Sequence, residues 1–290
     1  MNKKITIAFK TKTLLINEII KQELVEVFKK PTFIKKLFKK GSFADIYFHS
    51  GSLDEKAIKN ILNSKKVVVN SFSSLNQVLE KTSISRDKIE VIYPSINLKD
   101  KEPGELKVDY IDRLGLKEGT KLIFFTAKNF KTGGIKEFLE ICLSLNYSNF
   151  KIIIAGNKQQ MDSLEFLLKK YKKIEDKIIK VVDSKKLDEL FLISDIFLLP
   201  TTTKAFSVNI LKAMFAKCAI FIPSTNDAKE VVDVFATMNT PNDATVTFKI
   251  DAILNDENEL EKVKNDNKKV AYELTLESNL EKIYKILATI

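Results

Sequence analysis

The sequence predicts an α/β protein of repeated strand–helix units around parallel sheets, and three observations carry that prediction. Short β-branched or aromatic runs alternate with stretches whose apolar residues fall at helical spacing, as at Ile135, Phe138, Leu139, Cys142 and Leu143. Runs such as IFFT (Ile123–Thr126) and KIIIAG (Lys151–Gly156) are apolar without alternation, which suits strands covered on both faces. A chain of 290 residues, 44% hydrophobic and 30% charged, is long enough for one large domain or two smaller ones and shows no signature of disorder.

In chain order, the expected strands are Lys4–Phe9, Asp45–His49, Lys66–Asn70, Ile89–Tyr93, Lys121–Thr126, Lys151–Ala155, Ile178–Val182, Asp195–Leu199 and Ala219–Ile222. Between the first two lies KKPTFIKKLFKK (Lys29–Lys40). It sets Phe33, Ile34, Leu37 and Phe38 on one helical face, with Lys35, Lys36, Lys39 and Lys40 on the other. A basic amphipathic segment of this kind docks on an anionic membrane or a protein partner, or else it is a core helix with a solvated lysine face. Ser50–Ser52 and Ser71–Ser74 read as turn and capping material. The alternation breaks at Asn97–Thr120, which is polar, densely charged and holds Pro103 with Gly104. The expected organisation is therefore a small α/β domain over residues 1–96, a linker over 97–119, a larger α/β domain over 120–254 and C-terminal helices over 255–290. The last carry helical spacing at Leu260, Val263, Val270, Leu274, Leu280, Ile283 and Leu287.

The net charge of +10 is almost all lysine, since the only arginines are Arg86 and Arg113. Base reading and bidentate phosphate clamps rely on the planar guanidinium, so no specific nucleic acid is expected, although the charge favours anionic surfaces. Cys142 and Cys218 are far apart in apolar surroundings, which argues for a reducing compartment. No 18-residue apolar run occurs, and MNKKITIAFK has no signal-peptide core, so a cytoplasmic location is expected, at the inner face of the membrane if the lysine segment docks there. There is no phosphate loop of Walker type, no Cys-x-x-Cys, and a single histidine; neither a metal nor a resident cofactor is expected.

Several stretches, taken in order, resemble one family. FTAKNFKTGGIKEFL (Phe125–Leu139) is similar to a strand followed by Asn-Phe-Arg-x-Lys-Gly and a helix. FKIIIAGN (Phe150–Asn157) resembles the next strand and its glycine turn, and KIEVIYPSIN (Lys88–Asn97) the strand and turn closing an N-terminal domain. Leu187–Asp233 resembles the longest block: aspartate, apolar strand, proline, acid, Phe-Ser, a helix with a second acid, Ala-Met, strand, Asn-Gly-Ala, Glu. The likeness is to the GT-B glycosyltransferases of family 4, the group 1 retaining enzymes that use nucleotide-sugar donors. It implies a GT-B-like fold of two Rossmann-type domains. Here the N-terminal one is shortened, because the linker begins near residue 97 and FKTKTLL after the first strand has no glycine loop.

In open α/β sheets ligands sit beyond the carboxyl ends of the strands, where a helix N-terminus offers free N–H groups to a phosphate. Two turns fit, Thr132–Gly134 and Ala205–Val208. The resemblance implies a basic pair at the first, gripping the donor diphosphate, and an acid pair at the second, contacting the sugar and the ribose. This chain departs from the pattern at most of the polar positions. Lys131 stands at the arginine position and Gly133 at the lysine position, while Gly134 keeps the glycine. Lys204 and Lys212 stand at the two acid positions; Phe206, Ser207, Ala213 and Met214 are kept, and Glu230 remains as either a donor contact or a capping carboxylate. An ammonium only donates, so hydroxyl recognition by the acid is lost at a cost of about 2–4 kcal/mol per interaction. No other group for the ribose is visible in the sequence. His49 resembles a sugar-facing histidine of the family, the one catalytic candidate, and is equally a structural residue at a strand end.

The substitutions point to a catalytically degenerate relative kept as a scaffold or partner subunit of a bacterial cell-envelope system, with a protein partner or larger assembly and an anionic membrane surface as its contacts. The alternative is an active retaining glycosyltransferase moving a sugar from a nucleotide sugar onto a surface glycan or lipid-linked acceptor.

Overall fold

In the computed structural model, residues 4–29, 43–99, 104–183 and 186–290 are described. The proposed membrane or partner face, Phe33, Lys35, Lys36, Leu37, Phe38, Lys39 and Lys40, lies outside them. The chain divides into two units, Met1–Asn97 with Glu273–Ile290, and Leu98–Tyr272. Each is built on a parallel sheet, as the unalternating apolar runs predict.

The first unit carries β1 (Ile5–Phe9), β2 (Val25–Val27), β3 (Ile46–Phe48), β4 (Lys66–Val69) and β5 (Ile89–Val91), in the order β2-β1-β3-β4-β5. Successive side chains point to opposite faces, so Ile46 and Phe48 join one core and Tyr47 the other. The first core packs Ile7, Ile16 and Ile19 against Ile283 and Ile286 of the last helix, Leu276–Leu287. The second packs Tyr47, Val67 and Ile89 against Ile61, Leu75 and Val78, from helices Glu55–Asn63 and Phe72–Lys81. Ser71 caps the latter, its hydroxyl accepting from Ser74 N at 3.0 Å, as its position before an apolar run suggests. Buried Asn279 fastens the last helix to this unit, donating to Tyr93 O (3.1 Å) and Ser95 Oγ (2.8 Å).

The second unit carries β6 (Lys121–Thr126), β7 (Phe150–Gly156), β8 (Ile178–Val182), β9 (Ile196–Leu198), β10 (Ala219–Pro223) and β11 (Thr237–Met238), in the order β11-β10-β9-β6-β7-β8. Ile123 is in register with both Ile152 and Ile196, and all three are fully buried. Phe124, Phe191 and Phe197 stack edge-on or tilted in the core, with centroids 4.9–5.9 Å apart.

The segment read as a linker contains a helix, Gly104–Arg113. It has no buried residue of its own and docks through Lys107, whose Nζ lies 2.6 Å from Asp195 Oδ1. Asp195, 1% exposed, also accepts from Leu122 N at 2.9 Å and faces Lys264 at 3.5 Å. The residues read as one set of C-terminal helices divide between the units: Glu257–Tyr272 lies in the second and Leu276–Leu287 in the first.

Candidate functional site

In each sheet the chain leaves the first strand in one direction and later returns to its other side. The crevice between the carboxyl ends of the two strands where this reversal occurs is where open α/β sheets bind ligands. In the second unit that crevice lies between β6 and β9. The turns leaving β6, β9 and β10 meet there, and the sequence supplies a fastening for each.

After β6, Asn129 Oδ1 accepts from Thr132 N (3.0 Å) and starts the short helix Phe130–Gly133. Gly134 then takes φ +82° and opens the next helix, Ile135–Leu143. A Cβ at Gly134 would lie 1.9 Å from Pro200 O, so only glycine lets the two turns approach this closely. Thr132 O accepts from Thr201 Oγ1 and Thr202 N, each at 2.9 Å, which joins the β6 turn to the β9 turn. Buried Asn226, beyond β10, donates through Nδ2 to Thr203 O and Ala205 O, both at 3.0 Å, and Asp227 N donates to Lys204 O at 2.8 Å.

This network brings together the turns that carry Lys131, Gly134, Lys204, Phe206, Ser207 and Glu230. Phe206 is a buried packing residue; Ser207 caps helix Val208–Phe215, its Oγ accepting from Asn209 N at 3.3 Å. Glu230 is half-buried at the end of the one-turn helix Asp227–Glu230. Lys131 and Lys204 are exposed, and among the described residues no ion pair engages either ammonium. The site thus combines two positive charges that no ion pair engages among the described residues with the N-terminus of a helix, an arrangement suited to an anion.

Lys212 lies one turn further along that helix, and its Nζ is 2.7 Å from Asp188 Oδ1, in the first turn of helix Leu187–Ile193. Position 133 is closed: a Cβ there would lie 2.4 Å from Ala127 Cβ and 3.3 Å from the Phe125 ring. Asn226 and Asp188 were not singled out by sequence reasoning as side chains that act here. An asparagine in a turn carries no sign that its amide will reach back 21 and 23 residues, and nothing near Asp188 announces a partner 24 residues ahead.

His49 belongs to the first unit, where it follows β3 at the β1–β3 reversal. It is 3% exposed, and its Nδ1 has no hydrogen-bond partner among the described residues. Burial first and the Lys10 ammonium second hold its pKa below the usual histidine value, so the ring is neutral at pH 7. Lys10, which follows β1, is itself committed to Asp54 Oδ2 (2.9 Å) and Ser52 O (2.8 Å).

Comparison with known proteins agrees with this architecture. The family model for glycosyl transferases group 1 matches residues 108–270. The fold is similar to that of HepE from Anabaena, solved in complex with UDP (TM-score 0.77, 12% identity, covering 99% of this chain and 100% of that one). It is also similar to a glycosyltransferase from Rickettsia africae (TM-score 0.73, 17% identity, 94% and 78%). A third likeness is to WaaG, a glycosyltransferase involved in lipopolysaccharide biosynthesis (TM-score 0.68, 12% identity, 97% and 98%). No curated protein matches the sequence.

Proposed function

The chain belongs to the group 1 glycosyl transferases, and from that membership we propose that it binds the diphosphate of a nucleotide sugar at the β6–β9 crevice and transfers the sugar, with retention, to a surface glycan or lipid-linked acceptor of a bacterial envelope. The observation that carries the reading is the pair of lysines, 131 and 204, that no ion pair engages among the described residues, on turns fastened to each other through Thr132 O and Asn226. HepE in complex with UDP supplies the nucleotide class and WaaG the envelope setting. Lysine serves a phosphate as a point charge and loses only the bidentate geometry of arginine. In transfer, charge develops on the departing diphosphate, so cations and backbone N–H groups already aimed at it stabilise the transition state more than the ground state. The fixed turns hold them there without reorganisation. The work lies in the cytoplasm, at the inner face of the membrane where the acceptor is lipid-linked.

Titration calorimetry with UDP- and GDP-sugars tests this. The wild type should bind at least one, and Lys131→Ala with Lys204→Ala should weaken binding by about 10- to 100-fold, the worth of one or two charge-assisted contacts. Absence of binding by the wild type overturns the reading.

One observation favours a second reading, a non-catalytic scaffold or partner subunit. Position 133, basic in the resembling pattern, is packed shut against Ala127 and has no room for a side chain. Under this reading no nucleotide sugar binds, and the double alanine variant keeps wild-type glycan composition in the cell.

A further inference from the structure

We infer that Asn226 is a positioning residue of this site: its side-chain amide fixes the backbone that carries Lys204, so that the ammonium is placed for an anion before any ligand arrives. The inference rests on the nucleotide-binding reading above. It starts from three consecutive carbonyls. Asn226 Nδ2 donates to Thr203 O and to Ala205 O, each at 3.0 Å, and Asp227 N donates to Lys204 O at 2.8 Å. The backbone at position 204 is thus tied at its own carbonyl and at both neighbours, while the lysine side chain stays exposed. Asn226 is 0% exposed and is held in turn: its N–H donates to Pro223 O at 2.9 Å, and its Oδ1 accepts from Ala228 N at 2.9 Å. Both ends of the amide are in use, and its two donated bonds flank Lys204.

A lysine on a free loop surrenders backbone and side-chain freedom when it meets an anion, and that entropy is subtracted from affinity. Between β9 and helix Val208–Phe215 the chain forms neither helix nor strand, so no ladder of backbone bonds fixes it there. Hydrogen bonds from both sides do so instead. Thr203 N donates to Thr201 Oγ1 at 3.1 Å, and Thr201 Oγ1 donates at 2.9 Å to Thr132 O, in the turn that carries Lys131. Asn226 closes the other side. The helix start beyond is held independently, by buried Phe206 and by Ser207 Oγ, which accepts from Asn209 N. Loss of the amide therefore loosens residues 203–205 and leaves the first N–H groups of helix Val208–Phe215 in place. That separation distinguishes a role exerted through Lys204 from a general loss of structure.

Asn226→Ser is the discriminating variant. Its hydroxyl still accepts from Ala228 N, as a serine cap does, but one hydroxyl proton cannot serve two carbonyls set on either side of position 204. Inorganic pyrophosphate, UDP and GDP are titrated by calorimetry against the full-length wild type, Lys204→Ala, Asn226→Ser and the double variant. Lys204→Ala should weaken binding about tenfold and Asn226→Ser at least about threefold, whereas adding Asn226→Ser to Lys204→Ala should cost less than about twofold more. A purely structural asparagine lowers the thermal midpoint without this coupling to Lys204. If Asn226→Ser binds as tightly as wild type, or if its loss is undiminished in the Lys204→Ala background, the assignment of Asn226 is wrong while the nucleotide reading stands. If the wild type binds none of the three ligands, both fall together. A second measurement needs no variant. In the unliganded wild type, backbone amide order parameters of residues 203–205 should match those of rigid elements, about 0.85, and stay there when pyrophosphate is added; values below about 0.6 overturn the proposal.

Discussion

At the scale of single residues, Asp195 shows how a buried charge is held and when it lets go. Burial pulls its pKa up, and the Lys107 and Lys264 ammoniums outweigh that pull, so the folded carboxyl titrates below the ordinary aspartate value. A depressed carboxylate contributes stability that is complete above its unfolded pKa, near 4, and is lost as pH falls through the folded one. Asp195→Asn removes the buried carboxylate that Lys107 and Lys264 share, leaving Lys264 with Glu261 alone, and should cost about 3–5 kcal/mol at pH 7. Urea unfolding of both proteins from pH 7 downward checks the sign: the gap should hold to about pH 4 and then narrow, and a gap unchanged at pH 2 contradicts the assignment. The aspartate before a strand was readable in the sequence. Its two lysines were not, because Lys107 lies 88 residues before it and Lys264 69 after it, and only the docking of separate helices brings them to one oxygen. Lys204 and Lys212 divide in the same way. Both stood out as lysines at positions acidic in the resembling pattern, whereas the Asp188 that answers Lys212 depends on how two helices pack.

At the scale of elements, apolar runs flanked by turn residues located nine strands, and each is present within two residues of its expected ends. Val25–Val27 and Thr237–Met238 escaped, since strands of three and two residues at the sheet edges need no long apolar run. The helix Gly104–Arg113 escaped for a different reason: its outward face is charged and it buries nothing, so its apolar residues form no core stripe. The β6 turn was legible through its two glycines, but the reason for the second is spatial. At Gly134 a methyl group meets both a positive φ and the Pro200 carbonyl. Gly134→Ala should therefore lower stability by at least about 2 kcal/mol through backbone conformation and displacement of the neighbouring turn, read as a fall in thermal midpoint. Because that turn carries Lys131, nucleotide affinity should fall with it, and a stable variant with unchanged affinity shows that the contact between the turns does not matter.

At the scale of the whole molecule, the two units differ in how the chain supplies them. Leu98–Tyr272 is continuous, while the first unit draws its last helix from Glu273–Ile290. Removing Ile283 and Ile286 opens the core around Ile7 and Ile16. A fragment of residues 98–272 is thus expected to unfold cooperatively in urea, and residues 1–97 alone to lack a cooperative transition until a peptide of residues 273–290 is added; a cooperative transition for 1–97 by itself contradicts the role given to the helix. The same arrangement sets a timetable for synthesis. The N-terminal unit leaves the ribosome first, yet its missing helix follows 175 residues later, after the whole of Leu98–Tyr272. At about 5–20 residues per second this is a wait of about 10 to 35 s, during which Ile7, Ile16 and Ile19 have one wall of their core missing. The part of the chain that is made first is the part that is finished last, and a holdase that shields apolar strands on nascent chains has its longest opportunity there.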